Sequence, residues 1–420
     1  MSRIEQELSD LFDTSEKPSI FKIHGQLRSE NEEAYEPQVV SIGPYHHGKP
    51  KLEEMEEHKE RYFNELLRRR GERAEEYIIA LADLQDQARR CYAGKINLTN
   101  DDFVKMLCLD GCFVIEFLRK CGYPGPHWQN DPIFQMLWLF SATKNDLILF
   151  ENQLPFFVLL QLFDMTKSPG EENLIDLAIH LPLLGNFPHP GLNSHSTIRE
   201  YYKAVHLLGL MHKILSASFS ETLPSTMNSN RTDSNLFIKS AGELLQSGIK
   251  FKKAEDSKSL FHITFENDVL EIPPLVVEDH TESVFRNLIA YEEYMSNPTE
   301  TWRCITDYII FIDFLIDSPS DVEALRRQHI IMKGLRNDEA LSTMFNKLSK
   351  HVHIGGRFCY TKIFDEVDKY SSKRENIWRA ELQRRYFKSP SSSISFATTI
   401  FLVFLAIVQT TVFILQYSST

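Results

Sequence analysis

The residues best suited to chemistry gather in one string, Gly43-Pro44-Tyr45-His46-His47-Gly48-Lys49. Its glycines and lysine have the Gly-x-x-x-x-Gly-Lys spacing of a loop whose backbone N–H groups cradle phosphate, and the strand-like Val39-Val40-Ser41-Ile42 precedes it. Farther on, Ile309-Ile310-Phe311-Ile312-Asp313 mimics an apolar strand ending in a metal-holding carboxylate. Three features oppose nucleotide binding. Pro50 stands where a hydroxyl should hold magnesium, Pro44 removes a backbone donor, and Tyr45, His46 and His47 crowd a loop that backbone must line. The string reads as a structural turn whose tyrosine and histidines pack or hydrogen-bond.

Metal and acid–base chemistry are weighed the same way. His46, His47, Glu54 and His58 are close in sequence, and Glu54 with His58 would share a helical face. A solvated acidic helix after a histidine-containing turn accounts for them more simply. His351 and His353 supply two ligands of one extended segment, too few for zinc. Glu151, Asn152 and Gln153 gather acid and amide groups, but Asn152 is expected to cap a helix beginning near Pro155. No nucleophile elbow and no His-Glu-x-x-His motif occurs, and Cys112 lies among Phe113, Val114 and Ile115, where a thiol is inert. The sequence assigns no catalytic residue, metal or cofactor.

The elements that must position these residues are mainly helical. Leu52 to Arg70 reads as a surface helix with a narrow apolar stripe, and Asp101 to Lys120 as a buried one. Further helices are expected after Pro155, over Glu200 to Leu215, and over Ile305 to Ile316, which is too short to cross a bilayer. Ser320 and Glu323 form a capping-box pattern just after Pro319. Leu260 to Phe265 and Val269 to Val277, joined by Glu266-Asn267-Asp268, predict a β-hairpin whose second strand Pro273 and Pro274 shorten or confine to an edge. The Pro-, Asn- and His-rich stretch 186–196 and the Ser-, Thr- and Asn-rich stretch 216–235 read as loops.

With 420 residues and 42% hydrophobic content the chain can bury a sizeable core, and a net charge of −12 excludes nucleic acid as the main partner. Residues 394–417 carry no charge, and Arg384, Arg385 and Lys388 precede them. This pattern predicts a single transmembrane helix that anchors the chain in the lipid bilayer by its tail, with the body in the cytosol. Six cysteines show no Cys-x-x-Cys pair, as suits a reducing compartment.

A series of strings carries a resemblance: Ser41 to Lys49, Asp110 to Glu116, Asn145 to Phe157 with its Glu151-Asn152-Gln153-Leu154-Pro155-Phe156-Phe157, Asn287 to Glu292, and Asp313 to Ile316 followed by Asp321-Val322. In this order they resemble the plant family called domain of unknown function 247, from about Ile20 to the tail. Ile23-His24-Gly25 stands where the family usually has a Val-Pro step, and Pro390-Ser391 where it has Pro-Trp. The resemblance implies a plant protein with a C-terminal membrane span and no established enzymatic activity; some members are implicated in pollen–stigma self-recognition in grasses. It transfers no catalytic residue. Gly43, Pro44, Tyr45, His46, His47, Glu151, Asn152, Gln153 and Pro155 are marked as family-signature positions of unassigned role.

The combined expectation is a mainly α protein. It has a polar N-terminus over residues 1–19, a large helical soluble domain over 20–388 with one small β-hairpin, and a transmembrane helix over 394–417. Its expected function is recognition or signalling through an unidentified protein partner. The exposed face of Leu52 to Arg70 and the loop 216–235 are the expected contact surfaces. The alternative is an enzyme or nucleotide- or metal-binding protein using the Gly43–Lys49 turn.

Overall fold

The computed structural model describes residues 18–123, 125–181, 187, 200–222, 237–255, 257, 259–295, 303–332, 337–353, 358–373 and 390–418. Its longer helices are α1 (Glu54–Arg70), α2 (Ala74–Ala82), α3 (Asn100–Gly122), α4 (Leu137–Asp146), α5 (Phe156–Thr166), α6 (Leu207–Thr222), α7 (Thr281–Met295), α8 (Cys304–Leu315), α9 (Pro319–Arg327), α10 (Asp338–Leu348), α11 (Thr361–Ser371) and α12 (Pro390–Ser418). The strands are β1 (Lys250–Lys253), β2 (Thr264–Glu266), β3 (Val269–Ile272), β4 (Leu275–Val276) and β5 (Ile331–Met332).

The N-terminal half is built around α3. Thr99 caps its first turn by accepting from Asp102 N–H, and nearly every residue from Phe103 to Arg119 is buried. Burial all round follows from packing on several sides at once, by α1, α2, α5 and the short helix Leu174–Ile179. The approach of α5 is possible because Gly111 has no side chain: a Cβ there would overlap Leu162 Cδ1. In the C-terminal half α8 is buried from Cys304 to Ile312 and packs on α6, α7 and α10. That bears out Ile305 to Ile316 as a core helix. The two halves share one continuous hydrophobic core running from Ile20 to Val367.

The hairpin forms, with its details changed. β2 pairs antiparallel with β3, and Asn267 and Asp268 at φ 48° and 66° give the left-handed two-residue turn that suits the strands' twist. β1, which the sequence pattern did not suggest, pairs parallel with β3 on its other side. Thus β3 is the central strand, and Pro273 and Pro274 end it instead of confining it to an edge. β4 and β5 form a separate two-stranded parallel pair.

Several boundaries also move. The capping box of α9 is Ser318 with Asp321, and Pro319 takes the first helical position. The helix expected from Glu200 starts at Leu207 and continues to Thr222, through the first part of the loop expected at 216–235. Residues 223–236, most of 186–196, and Arg384, Arg385 and Lys388 lie outside the described residues.

The transmembrane helix expected at 394–417 is not supported. Among the described residues no helix is long and apolar enough to cross a membrane. α12 is helical from Pro390 to Ser418, but its described side chains cover only 398–412. Within them Thr398 and Thr399 on one side and Gln409, Thr410 and Thr411 on the other bound the apolar run Ile400 to Val408. At about 1.5 Å per residue that run falls far short of a ~30 Å hydrocarbon core.

Replacing Gly111 with alanine should push α5 from α3 and cost about 1–3 kcal/mol. Urea denaturation checks this, and an unchanged midpoint would contradict the close approach.

Candidate functional site

Residues 40–43 are buried with no strand beside them, so side chains must satisfy their backbone groups. Asp146, at the end of α4, accepts from Gln38 N at 2.8 Å, Val39 N at 2.7 Å and Val40 N at 2.9 Å. Asn152 accepts from Ile42 N at 2.7 Å and donates its amide to Val40 O at 3.0 Å and Asp146 O at 2.9 Å. Asp110 of α3 accepts from Gly43 N at 2.8 Å. Lys59 of α1 donates to Ser41 O at 2.5 Å, Asp110 at 2.6 Å and Glu56 at 2.6 Å, with its side chain wholly buried.

This arrangement holds the start of the Gly43–Lys49 turn. Gly43 has φ 78°, and a Cβ on it would lie 2.5 Å from Gln153 O, so glycine serves both the left-handed backbone and the close approach. The N–H of Gly43 bonds Asp110, and those of Val40 and Ile42 before it bond Asp146 and Asn152, so the protein's own side chains hold the entry to the turn. Tyr45 packs edge-on against Tyr92, donates to Ile20 O at 3.2 Å and accepts from Gly94 N at 3.1 Å. Pro44 and His47 are half-buried in the same turn.

Glu151, Asn152 and Gln153 are brought against that turn, and each has a separate task. Gln153 donates to Leu147 O and Leu149 O, both at 2.8 Å, and accepts from Leu208 N at 3.0 Å, which fixes the start of α6. Asn152 does not cap α5, as the sequence suggested; Pro155 is the N-cap residue, without a side-chain bond. The amide is drawn instead to the unpaired backbone of residues 40–42. Glu151 accepts from Ile23 N and from Arg28, both at 2.6 Å.

His46 sits between two carboxylates, its Nδ1 3.7 Å from Glu36 and its Nε2 3.7 Å from Glu151. It is 2% exposed, and neither ring nitrogen has a hydrogen-bond partner. Burial, together with Lys49, Arg28 and Lys51, outweighs the pull of Glu36 and lowers its imidazole to about 4. Burial alone would raise the Glu36 carboxyl, but bonds from Lys49 and Arg28 outweigh it and bring it down to about 2. The imidazole is therefore neutral at pH 7 between two anions.

The sequence did not mark Lys59, Asp146 or Glu36 as partners of the turn. Lys59 had a signal: it interrupts the apolar stripe of Met55, Tyr62, Phe63 and Leu66. Among the described residues His46, His47, Glu54 and His58 do not converge on one point, whereas His212, Glu292 and Cys304, from three separate helices, do. His351 and His353 face Glu30 and Glu293 separately. Glu151, Asn152 and Gln153 hold backbone in place, and His46 and Glu151 are buried.

A family model described as a plant protein of unknown function, DUF247, matches residues 20–405. A UPF0481 protein of Arabidopsis thaliana is 31% identical over 422 residues, covering 95% of this chain and 86% of the relative. Another UPF0481 protein of the same plant is 21% identical over 495 residues, covering 96% and 90% respectively. No solved structure matches.

Two outcomes are expected. Lys59→Met strands the buried Asp110 carboxylate and should cost about 3–5 kcal/mol; adding Asp110→Asn, which still accepts from Gly43, should recover part of that loss in urea denaturation. His46, neutral when folded and protonated when unfolded, supplies stability fully present above pH 6.5 and lost as pH falls toward 4. The depression corresponds to roughly 3 kcal/mol. Hence His46→Gln should flatten the fall of the urea midpoint between pH 6.5 and 4.5, and an unchanged slope would refute the neutral imidazole.

Proposed function

The chain belongs to the DUF247 family of plant proteins, and on that premise we propose that its helical body is a protein-recognition module without catalysis. The observation that carries this reading is an exposed apolar corner at the start of α4, where Leu137 is 80% exposed, Trp138 63% and Met136 39%. Adjacent large apolar groups left in water favour being covered, and tryptophan is enriched among residues that dominate binding energy. The corner stands on a firm base: Phe134, Phe140 and Trp128 pack against one another beneath it, with centroids 5.1 Å apart for Phe134–Phe140.

Charge extends the surface. Asp131, which caps the short helix Pro132–Gln135 leading to Met136, binds Arg61 of α1 at 3.0 Å and Lys120 at 2.6 Å. Lys120 in turn reaches Glu65 at 3.5 Å. The exposed side of α1 carries Glu54, Glu57, Glu60 and Glu65, and the helix is tied through Arg61 to Asp131, shortly before Met136. We read the partner as a protein presenting an apolar pocket with a basic rim. The family-signature residues support this reading by what they do: they fix a scaffold and leave its surface free to vary. The six cysteines, all buried free thiols, support a body facing the reducing, cytosolic side of the cell.

Leu137→Asp with Trp138→Ser tests the proposal, since both side chains are exposed and the change should leave folding within about 0.5 kcal/mol. Proximity labelling in plant cells should lose a defined set of proteins in the variant. A partner so identified should bind the purified variant about 30-fold more weakly, as for a ~2 kcal/mol hot spot. Identical labelling by both forms would sink the reading.

A further inference from the structure

We propose that His212, Glu292 and Cys304 form a site for a single zinc-class transition-metal ion, buried where α6, α7 and α8 meet. Each helix contributes one residue, and the three ligand atoms lie within 4.8 Å of one another. His212 Nε2 is 2.8 Å and Cys304 Sγ 3.8 Å from the same atom, Glu292 Oε1. Tetrahedral bonds of the usual zinc lengths would place such atoms roughly 3.3–3.7 Å apart, so small side-chain movements suffice.

The cluster has a simpler structural account, which covers only part of it. Glu292 accepts from Thr306 N at 2.8 Å through Oε2 and from Ile305 N at 3.2 Å through Oε1, satisfying the first turn of α8. The imidazole enters that account as a 2.8 Å hydrogen-bond partner of Oε1, whereas the thiol is not needed. Yet both converge on Oε1 from other helices, in an environment where Glu292 and Cys304 are almost wholly buried.

The surroundings suit a metal. Imidazole, carboxylate and thiolate together favour zinc or cobalt over magnesium or calcium. Ser216 Oγ adjoins both the imidazole and the thiol, 3.4 Å from His212 Nδ1, 3.5 Å from its Nε2 and 3.3 Å from Cys304 Sγ, while donating to His212 O at 2.6 Å. Tyr291 packs on the His212 ring at a centroid distance of 5.0 Å. His212 is the outermost ligand, with its side chain 14% exposed, which gives an ion a way in and leaves the fourth position for water. Binding replaces the thiol proton, and any proton on Nε2, with the ion; both leave to solvent. The carboxylate is already ionised: burial opposes this, but His212 and the Thr306 N–H hold Glu292 below the usual carboxylate range.

Cobalt(II) titration of the full chain tests the site. One equivalent should produce a thiolate-to-cobalt charge-transfer band, X-ray absorption should report one sulfur ligand, and zinc should displace the cobalt and raise the melting temperature. Cys304→Ser should abolish the band. His212→Gln, at the part-exposed ligand, should weaken binding beyond the roughly 10–100-fold that losing an outer-shell partner costs. Circular dichroism confirms that each variant folds. Absence of the band or of a sulfur ligand in the wild-type chain would overturn the proposal without any variant. So would a band that persists in folded Cys304→Ser, or affinity unchanged by His212→Gln.

Discussion

The N-terminal half depends on one constraint: a stretch of backbone, residues 40–43, is buried in the core without a strand to pair with. Buried peptide groups without partners cost on the order of a hydrogen bond each or more. Here the side chains of Asp146, Asn152, Asp110 and Lys59 do the work of a missing strand. They come from α4, the loop after it, α3 and α1, so satisfying this one segment fixes four elements relative to one another. The same logic extends to Gln153, which sets the start of α6. Asn287 carries it into the second half, accepting from Phe150 N at 2.8 Å and donating to Ala34 O at 2.8 Å.

Such a network has a characteristic energetic profile. Buried charges gain little net stability when paired, yet lose much when one partner is removed. The network therefore specifies one arrangement more than it deepens the energy well. It also gives the polar residues of the signature strings a structural task. His46 is held neutral and enclosed, and the N–H of Gly43 faces a carboxylate of the same chain. The apolar corner at Leu137 and Trp138 lies outside the network, a few residues beyond Asp131, which α1 and α3 contact through Arg61 and Lys120.

Much of the helical plan was legible because it rests on local pattern. The buried α3 and α8, and the charged α1, show their periodicity in a single line of residues. The hairpin turn was readable because Asn267 and Asp268 tolerate left-handed backbone. β1 was not, since Lys250-Phe251-Lys252-Lys253 has one apolar residue and gains its strand only by pairing with β3. The capping box shifted from Ser320–Glu323 to Ser318–Asp321 because two overlapping patterns were available, and Asp321 also accepts from Gly242 N at 2.7 Å. The membrane span expected over 394–417 has no counterpart, since among the described residues no helix is long and apolar enough to cross a membrane.

Helical class, the buried and exposed faces of the main helices, and the strings that mark the family are legible along the chain, because they are properties of neighbours. The contacts those strings make appear only once the chain is packed. Gly43 meets Gln153, Lys59 meets Asp110, and His212 meets Glu292 and Cys304 across separations that no local pattern encodes. Whether a polar residue is solvated, paired or drawn to orphaned backbone depends on which groups are buried with it, and burial is a property of the packed core.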